Sequence, residues 1–79
     1  MSYRIEESVT INFSTGVPGN VYLTISDELG RHITTLVDTE LDAGEHMVVW
    51  DAAGMAAGRY YVTVISGAWR ESGVVVKSQ

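Results

Sequence analysis

The stretch Val21-Tyr22-Leu23-Thr24-Ile25-Ser26-Asp27-Glu28-Leu29-Gly30 decides the fold class. Val21, Leu23 and Ile25 alternate with Tyr22, Thr24 and Ser26, so an extended chain puts the apolar residues on one face and the polar ones on the other. The next four residues read as a hairpin turn. The Asp27 side chain can cap it, and Gly30 tolerates the left-handed conformation that a short bulged loop requires. A strand with one buried face, closed by a tight turn, belongs to an antiparallel sheet packed against a second layer.

The same alternation extends in both directions. Upstream, Val9, Ile11 and Phe13 face one way and Thr10, Asn12 and Ser14 the other, and Gly16 to Asn20, with Pro18 unable to donate to a ladder, turns the chain. Downstream, Ile33 to Val37 reads as a shorter strand near an edge. Asp38, Glu40, Asp42 and Glu45 then form an acidic connection around Leu41, ending at Gly44. His46, Val48 and Trp50 resume an inner row, with Trp50 as the anchor of the core. Ala52 to Gly58 is a loop of small residues around Met55. Tyr60, Val62 and Val64 make the next inward row, backed by Tyr61, Thr63 and Ile65; Ser66-Gly67 turns the chain into a last strand in which Val75 opposes Val74 and Val76. Strands at a spacing of about 8 to 12 residues suit a sandwich better than βαβ units. The expectation is one all-β domain over residues 1–79, an immunoglobulin-like or fibronectin-like antiparallel sandwich of six or seven strands. Residues 1–7, with Tyr3 and Ile5 in alternation, read as an arm able to pair with a neighbour's sheet edge.

Composition narrows the function. A chain of 79 residues builds one thin core with little wall left over for a deep cleft, which disfavours an enzyme and a small-molecule ligand. It has no cysteine, so apolar packing carries the stability. Ten acidic residues against five basic ones give a net charge of −5, and no stretch gathers Lys or Arg, which argues against nucleic acid or an anionic membrane as partner. No run approaches the ~18 apolar residues of a membrane helix, and Met1 to Glu7 lacks the apolar stretch of a signal peptide. The chain therefore reads as soluble, either complete without a cleaved leader or a domain of something longer.

Side chains that could carry chemistry are sparse. His32 and His46 lack any metal-ligand spacing. The acids Asp38, Glu40, Asp42 and Glu45 could attract calcium, but the dense Asp-x-Asp-x-Asp arrangement is missing and a solvated turn is the simpler reading. Gly54 to Gly58 has the small-xxx-small spacing of membrane helix pairs in a polar loop context, and Asn12-Phe13-Ser14 is a glycosylation sequon placed within a strand. No nucleophile–base order, phosphate-cradling glycine loop or paired carboxylate can be read, so catalytic, cofactor-binding and metal residues are expected to be none.

One ordered set of landmarks runs along most of the chain: Asp27, Gly30 and Arg31; the apolar pair Leu36 and Val37; Ala43 and Gly44; Trp50 and Asp51; Gly58 and Tyr60. This pattern resembles a family of bacterial immunoglobulin-like modules that includes the C-terminal domain of the flagellar hook-capping protein and the type A sorting domains of type IX secretion. The ten-residue step from Trp50 to Tyr60 is similar to the short spacing of sorting domains. Where the family carries a Leu-Pro pair before its second strand, this chain has Val17-Pro18-Gly19.

The resemblance implies a non-catalytic module for anchoring, sorting or assembly, at the cell surface or outside the cell if it is a domain of a longer protein. A free-standing copy starting at Met1 would instead dock on a larger particle such as a capsid or filament. The alternative is an accessory domain binding carbohydrate or another ligand beside a secreted enzyme. Contact with a protein partner or a second copy is expected through Tyr3, Ile5, Tyr22, Tyr61, Ile65, Trp69 and Val75. Tyr and Trp bury large area with few rotors, whereas the bland alternative is ordinary cross-strand packing.

Overall fold

In a computed structural model, residues 2–5 and 8–77 are described, the first four for their backbone alone. Seven strands follow in order: β1 (Ser2–Ile5), β2 (Ser8–Thr15), β3 (Gly19–Ser26), β4 (His32–Leu41), β5 (Gly44–Asp51), β6 (Gly58–Ser66) and β7 (Trp69–Lys77). They form a five-stranded sheet, β1-β7-β6-β3-β4, and a two-stranded sheet, β2-β5. Every pairing is antiparallel except that of β1 with β7. This is the expected immunoglobulin-like sandwich.

The core forms where the inward rows meet. Val9, Ile11 and Phe13 from β2, Val21, Leu23 and Ile25 from β3, Tyr60, Val62 and Val64 from β6, and Trp50, Ala52 and Val75 are buried. Each large aliphatic side chain removed from water in this way contributes about 1.5–3 kcal/mol.

Two corners show what the landmark residues do. In the β3–β4 hairpin, Asp27 Oδ1 accepts hydrogen bonds from the Leu29 and Arg31 N–H groups, each at 2.9 Å, and Gly30 adopts φ +81°. The Arg31 N–H is the main influence holding the Asp27 carboxyl below its ordinary value of 3.8. The Arg31 side chain, 2.8 Å from Oδ2, is largely exposed, and such an ion pair adds little. At the β5–β6 corner, Trp50 and Tyr60 meet edge to face at 5.3 Å, and the Tyr60 hydroxyl donates to the Ala56 carbonyl at 2.6 Å. A tyrosine that reaches back to the backbone just upstream fixes the entry to its strand in many sandwiches. Glu28 ties the two corners together by accepting from the Arg59 N–H at 3.0 Å. Gly58 lies there at φ +148°, and a Cβ on it would sit 3.1 Å from Glu28 Oε1.

Three expectations need correction. The strand expected at Ile33–Val37 is the ten-residue β4, and Asp38 and Glu40 lie within it rather than in a connection. They are tolerated because this edge strand turns them outward, Asp38 opposite Tyr22 and Glu40 opposite Asn20. The connection shrinks to Asp42 and Ala43, with Glu45 already in β5. The last strand has the opposite phase: Val75 pairs with the inward Tyr60 and is 0% exposed, while Val74 and Val76 face out half-buried. Val75 is thus a core residue and not an interface candidate. Finally, within the chain the segment expected as a pairing arm lies on its own β7, Ser2 with Val74 through Ile5 with Lys77.

Candidate interaction face

The sheet registers determine which candidates meet. β3 and β6 place Tyr22 opposite Ile65 and Ser26 opposite Tyr61; β6 and β7 place Tyr61 opposite Val74 and Arg59 opposite Val76. Directly opposed residues project to the same side of a sheet. Tyr22, Tyr61, Ile65, Val74 and Val76 therefore share the face turned away from the two-stranded sheet. Tyr22 is 38% and Tyr61 36% exposed, whereas Ile65, Val74 and Val76 are half-buried.

A row of hydroxyls crosses the middle of this face, since Thr24 pairs with Thr63 and Thr63 with Ser72. Charges border it: Asp38 lies beyond Tyr22, and Arg70 beyond Ile65. The arrangement offers aromatic area, adaptable hydroxyl groups and a charged rim.

The remaining candidates are elsewhere. Trp69, 38% exposed, sits at the end of the sandwich in an open groove of about 350 Å³ with Ser14, Val17 and Glu71. Tyr3 and Ile5 lie in β1, and their side chains fall outside the described residues. Sequence reasoning passed over Val74 and Val76 because their phase was misread. It also passed over Met47 and Val49, exposed on the outer side of β5. The unbroken run Met47-Val48-Val49-Trp50 was the available signal, because a strand apolar on both faces has more to bury than one core.

The imidazoles have local duties. His46 Nε2 lies 2.7 Å from the Asp42 carbonyl and its ring packs tilted on Phe13, while His32 Nε2 lies 2.9 Å from Thr35 Oγ1. Among the described residues, no group of three His, Cys, Asp or Glu is placed to hold a metal ion. Among the same residues, no helix is long and apolar enough to cross a membrane.

The architecture is similar to that of a crystal structure of an uncharacterized protein from Bacillus anthracis str. Ames, with a TM-score of 0.72 over 99% of this chain and 76% of that one. At 15% identity the likeness is one of fold. No curated protein matches the chain. The landmark residues that resemble the C-terminal domain of the flagellar hook-capping protein all fall inside a more specific match. The FlgD Ig-like domain family matches residues 4–68, which takes in the whole of β2 to β6, and the chain belongs to that family.

Proposed function

We propose that the chain is a non-catalytic assembly module that docks on a protein partner through the outer face of its five-stranded sheet. The observation that carries the reading is the grouping of Tyr22, Tyr61 and Ile65, with Val74, on one face by strand register. Tyr22 with Ile65 and Tyr61 with Val74 flank a row of hydroxyls, and tyrosines are among the side chains that dominate protein–protein contacts. Membership of the FlgD Ig-like domain family supports a structural role in an extracellular assembly, whether as a sorting-type domain or as a subunit on a filament or other particle.

Photo-crosslinking tests this directly. A crosslinking residue at position 22 or 61, expressed in the source cells, should yield one defined protein adduct, and Tyr61→Ser/Ile65→Ser should abolish the adduct formed from position 22. Position 29, a hairpin tip that is 78% exposed, serves as control. Equal capture from position 29, or none from either tyrosine site, refutes the docking face.

One observation favours a second reading. Trp69 beside Glu71 and Ser14 in an open groove offers a stacking surface and hydrogen-bonding groups, the chemistry by which an accessory domain holds a sugar. Glycan binding lost in Trp69→Ala and retained in Tyr61→Ser/Ile65→Ser would favour it over the first.

A further inference from the structure

The two-stranded sheet leaves strand edges open, and the edges are not alike. β4, the outer strand of the large sheet, has its pairing with β3 interrupted between Leu23 and Thr24 and again between Ile25 and Ser26. Bulges of this kind, together with outward charges, blunt an edge against further pairing. β5 has no bulge, and its outward charges, Glu45 and Asp51, stand only at its two ends. It pairs with β2 over eight positions in unbroken register, from Ser8 with Asp51 to Thr15 with Gly44, and among the described residues it has no strand on its other side. It contains no proline, lysine or arginine.

The side chains on β5 specify what could pair there. Glu45, Met47, Val49 and Asp51 alternate along its outer face, with Met47 72% and Val49 57% exposed. The order is acid, apolar, apolar, acid over about 20 Å of strand. On the inner side Val48 is half-buried, and the adjacent β4 leaves Leu36, Val37 and Leu41 half-buried, because two strands cannot cover five.

A second copy is a poor occupant. Antiparallel pairing of two β5 strands about Val48 would match Met47 with Val49 but set Glu45 against Asp51 twice, and a shift by two residues sets a carboxylate against Met47 or Val49 instead. Like charges directly opposite destabilise a strand pair, and each copy already carries −5.

We propose that the free edge of β5 takes up an extended segment of another protein as a third strand. The segment carries Lys or Arg at two positions six residues apart, with apolar residues between them on the same face. Backbone pairing supplies the attachment, Met47 and Val49 meet the apolar pair, and Glu45 and Asp51 meet the cations. This site is separate from the docking face built around Tyr22 and Tyr61 and does not depend on it.

The probe is the acetylated, amidated peptide Lys-Thr-Val-Leu-Val-Thr-Lys, titrated into the folded chain while backbone amide resonances are followed. Saturable shifts should centre on β5, and the Glu-flanked peptide of the same apolar order should bind about tenfold more weakly. Glu45→Gln/Asp51→Asn should bring the two peptides within about threefold, since the electrostatic preference is then removed. The amide oxygen that this variant places at position 51 can still accept the 3.0 Å hydrogen bond that Asp51 takes from the Ala53 N–H.

Two further peptides, N-methylated at alternate residues in opposite phase, test the backbone pairing, because only every second N–H of an added strand points at β5. One should bind and the other should not. Equal binding by both, shifts centred on Tyr22 and Tyr61, or equal affinity for the Lys- and Glu-flanked peptides would overturn the proposal. So would concentration-dependent dimerisation abolished by Met47→Lys/Val49→Lys, which would assign the edge to a second copy.

Discussion

Replacing Trp50 by alanine removes the largest side chain of the core. Trp50 is 4% exposed, pairs with Val9 across the two-stranded sheet, and packs edge to face on Tyr60. Truncating a buried Trp or Phe to Ala costs about 3–5 kcal/mol, and an aromatic pair of this geometry accounts for about 0.5–1.5 of such a loss. At 0.05–0.15 kcal/mol per residue, a domain of this length has roughly 4–12 kcal/mol in total. The variant should therefore retain between none and about three quarters of that stability. Because Tyr60 also holds the Ala56 carbonyl, the Ala52–Gly58 corner should loosen with it. Urea unfolding followed by far-UV circular dichroism measures the loss. Trp69→Ala, at the exposed end of the sandwich, provides the contrast and should cost less than about 1 kcal/mol. A midpoint for Trp50→Ala close to that of Trp69→Ala would refute the assignment of Trp50 as the core anchor.

The phase of β7 can be tested in the same way: Val75→Ala should cost about 2 kcal/mol and Val74→Ala less than half of that, and the reverse order would restore the opposite phase. For the β3–β4 turn, the Asp27 carboxyl is held below 3.8, chiefly by the Arg31 N–H, so its charged form is favoured in the folded chain. That contribution is fully present above the unfolded value and is lost as pH falls through the lower folded one. The melting-temperature advantage of the wild type over Asp27→Asn should therefore hold steady above about pH 5 and shrink below pH 4, and an advantage that grows on acidification would contradict the geometry.

How much of this was legible in sequence depends on whether a residue's neighbours left its direction open. Val21, Leu23 and Ile25 alternate with polar residues, so their inward row follows from period alone. Val74-Val75-Val76 is apolar throughout, so period alone leaves the direction of Val75 open, although a charged residue such as Lys77 ordinarily points outward. Lys77 in fact lies with the inward set at 8% exposure, which a long stem permits because it can lie along apolar surface. Only the register against Tyr60 and Tyr61 settles the direction, and register is a long-range fact. The length of β4 was hidden for a related reason. Asp38 and Glu40 read as connection because acids are depleted in strands, but that depletion weakens on the exposed face of an edge strand. The candidate interaction face was partly visible, since Tyr61 and Ile65 back an inward row, whereas their meeting with Tyr22 depended on β3 lying beside β6.

The division of five strands against two explains why apolar side chains remain on both outer sides of so small a domain. A layer of two strands buries the inner rows of its nearest neighbours and leaves the inner side of β4 half-covered. Both edges carry two outward acids, but β4 is broken by two bulges, whereas β5 runs straight and exposes Met47 and Val49 between its carboxylates. An edge that endangered solubility would be expected to carry the same protection as β4. The contrast between two open edges of one sandwich is better explained by a demand on β5 than by tolerance of exposure. That demand lies on the opposite layer from the face formed by Tyr22, Tyr61 and Ile65. If both surfaces are used, one partner occupies the outside of the large sheet while a strand from another extends the small one. The module then joins two neighbours without either competing for the other's contacts, as a link within an assembly must.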